Sequence, residues 1–174
     1  SLKNTNIKTN LAIDGDGFFC VLKPDGSHNY TRNGEFNLDS SGKLVDNNGY
    51  ILDMQFYNGM GYDNVDLANG ELNINKLGKV FLNDQIIGKI DLYRPTGDND
   101  FISSGDSLFV PREGTEVQVI DNPDIRQGYI ELSNINMQNE MTDLIMGQRA
   151  FQFNSRGIQA VDEMWGMINN LQGR

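Results

Sequence analysis

Asp14, Asp16 and Asp25 stand at the first, third and twelfth places of a calcium-loop frame, an arrangement that could surround a hard cation with carboxylate oxygens. The frame fails at its centre: Phe18 fills the fifth, ligating place and Phe19 the sixth, where the loop needs glycine. Turn chemistry accounts for these aspartates. His28 is the single histidine and Cys20 the single cysteine. A Ser-His-Asp triad or a histidine-based zinc site would rest on one imidazole, and neither a disulfide framework nor a thiolate cluster is on offer. No G-x-S-x-G or H-E-x-x-H sequence occurs. Gly15-Asp16-Gly17 is too short for a phosphate loop, and no helical pattern follows it. Asn29-Tyr30-Thr31 fits the glycosylation triplet, which carries no meaning without a secretory signal. Acidic pairs are scattered through turns and give no glycosidase constellation. The expectation is a protein that is not an enzyme, with no catalytic residue, cofactor or metal ligand set.

The elements around these residues are short. Leu11–Leu22 reads as two strands about an Asp-Gly-Asp-Gly turn, and Asp25-Gly26 closes a hairpin onto Ser27–Arg32. Phe36 and Leu38, then Leu44 and Val45, alternate with polar residues about Ser40-Ser41-Gly42, and Asn48-Gly49 turns the chain into Tyr50–Met54. A polar, glycine-rich connection fills 55–69. Strand character returns at Glu71–Ile74, and Lys79–Leu82 pairs with Gln85–Tyr93 across Asn83-Asp84. Arg94-Pro95 ends that run, because proline cannot donate to a ladder. Phe101-Ile102 and Leu108–Val110 flank a Ser-Ser-Gly-Asp turn, residues 111–127 read as a mostly polar connection, and Gly128–Leu132 leads out of the body.

Beyond Leu132 the pattern changes. Leu144, Phe151, Ile158 and Trp165 recur every seventh residue, flanked by Val161 and Ile168 on one side and by Ala150, Met164 and Leu171 on the other. With no proline in the stretch, the spacing predicts one helix over about 136–171, capped by Asn136, with Glu140 and Asp143 near its positive end. At ~1.5 Å per residue such a helix would be roughly 54 Å long and would leave the body. A sevenfold apolar repeat wants another helix alongside it, yet the sequence holds no second helix of comparable length. Gly147, Asn154 and Gly157 weaken the seam, so the helix is expected to be weak alone and firm in an assembly. Gln148, Gln152, Asn154, Ser155, Gln159, Asn169 and Asn170 give its other face side chains that both donate and accept, which favours self-assembly over simple solvation. The expected fold is therefore mainly β: an antiparallel body of short strands and hairpins over 1–132, followed by one long C-terminal α-helix over 133–174.

The formal net charge is −10. Residues 133–174 hold Glu140, Asp143, Asp162 and Glu163 against Arg149, Arg156 and Arg174, a net of −1, so −9 sits in the body. An acidic body argues against nucleic acid or an anionic membrane as partner. No stretch approaches the 18 apolar residues of a membrane span. The start, SLKNTNIKTN, lacks the apolar core of a signal peptide, and Ser1 in place of methionine points to a natural start upstream.

Three blocks together resemble a known family, the rod and hook proteins of the bacterial flagellar axial structure. They are LAIDGDGFF (11–19), YTRNGEFNLDSSGKLV (30–45) with NGYIL (48–52), and a C-terminal set. That set runs Gly128-Tyr129, Glu131, Ser133-Asn134, Asn136, Glu140-Met141, Leu144-Ile145, Gln148–Phe151, Asn154-Ser155, Gln159, Asp162–Met164 and Leu171. The family often has Tyr where Phe151 stands and Glu where Asn139 stands. The resemblance implies a family-like core over 1–54 and 128–132, with 55–127 inserted. It implies a terminal helix packed in the inner tube of a filament, against an N-terminal helix that is absent from this sequence. It implies export through the flagellar type III apparatus without a cleavable signal, and a place in the flagellar basal body.

The modest 55–127 segment is most similar to the distal rod type, with proximal rod and hook proteins as alternatives inside the family. The partners expected are copies of itself, other rod and hook proteins and the export apparatus, with no nucleic acid and no membrane insertion. Leu144, Phe151, Ile158, Val161, Met164, Trp165, Ile168 and Leu171 are the expected assembly interface. A secreted, adhesin-like β module on a helical stalk is the alternative outside the family.

Overall fold

One turn is used three times among the described residues. Asp39, Asp46 and Asn75 each accept, through side-chain Oδ1, from the backbone N–H two and four residues on, at 2.8–3.0 Å. Three residues after each stands a glycine, Gly42, Gly49 or Gly78, at φ of 73°, 82° or 78°. Its N–H returns to the carbonyl of the Asp or Asn at 3.0 Å. Asx side chains mimic a turn and glycine takes the positive φ without steric cost, so each Asx-x-x-Gly forces the chain to double back. Asn83-Asp84 and Asp106-Ser107 make tighter reversals, with both residues of each pair at positive φ.

The computed structural model describes residues 1–97 and 100–132. Among them are seventeen strands: β1 (Leu2–Asn4), β2 (Leu11–Ile13), β3 (Phe19–Leu22), β4 (His28–Thr31), β5 (Asn37–Leu38), β6 (Leu44–Val45), β7 (Ile51–Leu52), β8 (Gln55–Phe56), β9 (Leu72–Ile74), β10 (Lys79–Leu82), β11 (Gln85–Lys89), β12 (Tyr93–Pro95), β13 (Phe101–Gly105), β14 (Leu108–Pro111), β15 (Val117–Val119), β16 (Ile125–Gln127) and β17 (Tyr129–Glu131). A seven-stranded sheet runs β13-β14-β4-β3-β7-β6-β5 and a four-stranded sheet β8-β11-β10-β9, with two-stranded pairs β12-β15, β16-β2 and β1-β17. Every pairing is antiparallel.

The core is continuous beneath both larger sheets. Phe19, Phe36, Leu44, Leu52, Leu67, Val80, Ile90 and Leu92 are all fully buried. Phe19 and Phe36 meet edge to face at 5.4 Å, the arrangement their ring quadrupoles favour. Ser1–Leu132 is one compact unit, distinct from Ser133–Arg174.

The expected fold class is corrected on two counts. The described residues are antiparallel β with no helix among them, so a β body plus one long helix is not the fold seen. The helix expected over 136–171, with its residues Leu144, Phe151, Ile158, Val161, Met164, Trp165, Ile168 and Leu171, lies outside the described residues. The second count concerns strands that the sequence did not suggest: 111–127, read as a connection, contains β15 and β16, 55–69, also read as a connection, begins with β8, and the first ten residues, given no element, contain β1. These strands have two or three residues, too few to display an alternation, and β1 and β16 have their partners more than 100 residues away.

Candidate functional site

Arg32 follows β4 in the hairpin block and lies half-buried. Its Nε donates to Glu131 Oε2 at 2.9 Å, one terminal nitrogen donates to the Gly17 carbonyl at 2.9 Å, and the other to the Gly15 carbonyl at 2.9 Å. The guanidinium also covers the Phe18 ring at 5.9 Å from its centroid. A planar fork with five donors is suited to hold separate acceptors at once. Here it joins the loop after β2, the end of β4 and the strand β17. Three sequence blocks that read as separate therefore converge on one side chain.

The two ends of the body converge at the same place. β1 pairs with β17, Leu2 opposite Glu131 and Asn4 opposite Tyr129, and Leu132 N–H donates to the Ser1 carbonyl at 3.0 Å. β2 pairs with β16, Leu11 opposite Gln127. Gln127 uses its whole amide: Nε2 donates to the carbonyls of Lys8 (2.8 Å) and Leu72 (3.1 Å), and Oε1 accepts from Ile74 N–H at 3.0 Å. Arg126 pairs with Asp14 at 2.9 Å and Asp124 at 2.8 Å. The residues immediately before the 133–174 stretch are thus held by backbone ladder, amide and guanidinium together.

Beside Arg32, Phe18 meets Phe101 and Phe109 edge to face at 4.9 and 5.4 Å. These rings floor an open cleft of about 670 Å³ rimmed by Arg32, Arg94 and Gln118.

Of the residues weighed as chemical candidates, Asp14, Asp16 and Asp25 are dispersed, whereas Cys20 and His28 lie near one another on the β3–β4 ladder. Asp14 is in the Arg126 ion pair, Asp16 lies at the cleft rim, and Asp25 is exposed, its carboxyl held below the usual range by the hydrogen bonds of Ser27. Cys20 is buried, which together with the nearby Asp53 charge pushes its thiol up to about 12. Sequence reasoning missed the Arg32–Glu131 pair and the Gln127 amide that ties Lys8 to β9. The signal available was only that each adjoins an apolar strand, and topology alone brings each to its partners.

Replacing Arg32 by alanine strands Glu131 and two loop carbonyls. With both partners about one-third exposed, screening weakens the ionic part. A loss of about 2 kcal/mol is expected from the severed charge-assisted bonds, read as a lower urea midpoint of the body. Lysine should restore less than half, because a point charge cannot span three acceptors.

The described residues form a structural β module that draws its two ends together. Sequence comparison names the kind. Residues 12–82 match the flagellar hook protein FlgE/F/G D1 domain, and residues 126–171 match the flagellar basal body rod FlgEFG protein C-terminal family. The flagellar basal-body rod protein FlgG of Borreliella burgdorferi is 33% identical over 98% of this chain and 67% of its own length. FlgG of Bacillus subtilis is 32% identical over 98% of this chain and 67% of its own length. The rod protein FlgF of Mesorhizobium japonicum is 37% identical over 87% of this chain and 62% of its own length. The chain belongs to the flagellar hook and basal-body rod protein family.

Proposed function

We propose that this chain is a distal-type rod subunit, delivered by the flagellar type III export apparatus, and built into the axial structure through its 133–174 stretch. That it is a structural subunit of the basal-body rod, residing in the flagellar basal body, follows from its family. Nothing in the comparisons supports an adhesin. The observation that carries the distal reading is the end-to-end alignment with rod proteins named FlgG, at 29–33% identity over 98% of the chain in four relatives. The role is mechanical rather than catalytic. Leu144, Phe151, Ile158, Val161, Met164, Trp165, Ile168 and Leu171 supply the apolar surface on which neighbouring subunits pack, since burial of such side chains is worth ~1.5–3 kcal/mol each.

The body supports that role by its construction. Load arriving through the tail enters β17, which is tied to β1 by ladder bonds and to the Gly15–Gly17 loop through Arg32. In the source bacterium, deleting the coding sequence should abolish swimming, and the polypeptide should co-purify with isolated basal bodies. A motile deletion strain, or basal bodies lacking the polypeptide, would overturn the reading.

A further inference from the structure

The register of the seven-stranded sheet brings together three side chains that the sequence keeps apart. Cys20 lies opposite Tyr30, and Leu22 opposite His28, so Cys20 and His28 are diagonal neighbours on one face of the β3–β4 ladder. On the other side of β3, Val21 pairs with Leu52, and the next residue, Asp53, donates its N–H to the Cys20 carbonyl at 2.8 Å. Side chains alternate along strands, which puts Asp53 on the same face as Cys20. One ligand atom from each residue, thiol sulfur, imidazole nitrogen and carboxylate oxygen, lies within 4.8 Å of the other two.

We propose that Cys20, His28 and Asp53 bind a zinc-type divalent cation that cross-links β3, β4 and the segment after β7. Zinc–ligand bonds of ~2.0–2.3 Å in tetrahedral array place donor atoms on the order of 3.5 Å apart. The donor atoms therefore need to close by at most about 1.3 Å, within reach of side-chain rotation on a fixed sheet. A thiolate, an imidazole and a carboxylate together select a borderline cation over magnesium or calcium, which want oxygen alone. Three protein ligands leave a fourth position for water. The donors differ in exposure in a useful way: Cys20 is 1% exposed, Asp53 half-buried and His28 exposed, so the ion has an inner anchor and an open path of entry. On binding, the thiol proton passes to solvent and the sulfur ligates as thiolate. None of the ion pairs among the described residues uses Asp53, which leaves its charge available to the cation.

The test titrates the intact 174-residue chain with Zn²⁺ by calorimetry, and with Co²⁺ by absorption. One equivalent of zinc should bind, cobalt should give a thiolate charge-transfer band, and zinc should raise the thermal midpoint. H28Q, at an exposed position of β4, should weaken zinc binding at least tenfold and abolish the thermal shift. C20S should remove the cobalt band. Substoichiometric binding, a cobalt spectrum without the thiolate band, or an H28Q protein that binds as tightly as its parent would overturn the site. None of these outcomes bears on rod assembly, so the two readings fail independently.

Discussion

Alanine at position 34 should destabilise the β body by about 3 kcal/mol or more, the range of severe overpacking. The cause is proximity. A Cβ built on Gly34 would run into the carbonyl oxygen of Leu11 and lie 2.7 Å from its carbonyl carbon, with the Phe19 ring at 3.3 Å. Backbone cannot swing aside as a flexible side chain can. The two segments approach so closely because Leu11 N–H donates to the Gly34 carbonyl at 2.8 Å, and Leu11 is fully buried as the first residue of β2. Accommodating one methyl group means moving β2, and with it β16 and the Gln127 amide that ties the N-terminal arm to β9. For a domain whose total stability is ~5–15 kcal/mol, the change should appear as a large fall in the denaturation midpoint followed by far-ultraviolet circular dichroism. A fall below about 1 kcal/mol would mean that the strands separate without cost and that the approach does not hold the body together.

Gly34 also shows where reading the sequence stops. Asn33-Gly34 has the composition of a hairpin turn, yet Gly34 is required by a neighbour 23 residues away in sequence rather than by its own φ. Local chemistry was legible. The hairpins across Asp25-Gly26 and Asn83-Asp84, and the turns at Gly42 and Gly49, are written in residues that touch each other along the chain. Long-range closure was not. Nothing in Leu2–Asn4 or Ile125–Gln127 announces a strand, because each is defined only by a partner at the other end of the chain. Arg32 is the sharpest case, since its three acceptors come from Gly15, Gly17 and Glu131. The Cys20, His28 and Asp53 grouping escaped for the same reason: spacings of 8 and 33 residues match no ligand pattern, and only the sheet register collapses them. Family blocks could be recognised without this knowledge, but not what their residues do for one another.

Replacing both Phe151 and Ile158 by aspartate should leave the body folded and abolish filament formation and motility. The two residues stand seven apart in the run Leu144, Phe151, Ile158, Trp165, and they belong to Ser133–Arg174 rather than to the compact unit Ser1–Leu132. Denaturation of the β body should therefore keep its midpoint. At a packed contact each substitution forfeits ~1.5–3 kcal/mol of apolar burial and adds the cost of a carboxylate without a partner. Since ~1.4 kcal/mol is a factor of ten in affinity, the pair should weaken each subunit contact by several powers of ten. A filament repeats the same contact at every subunit, so no surviving site compensates for the damaged one. The expected result is an expressed, folded protein, no spreading in soft agar, and basal bodies without a completed rod by electron microscopy. Undiminished swimming would show that this apolar repeat is not where the subunits meet.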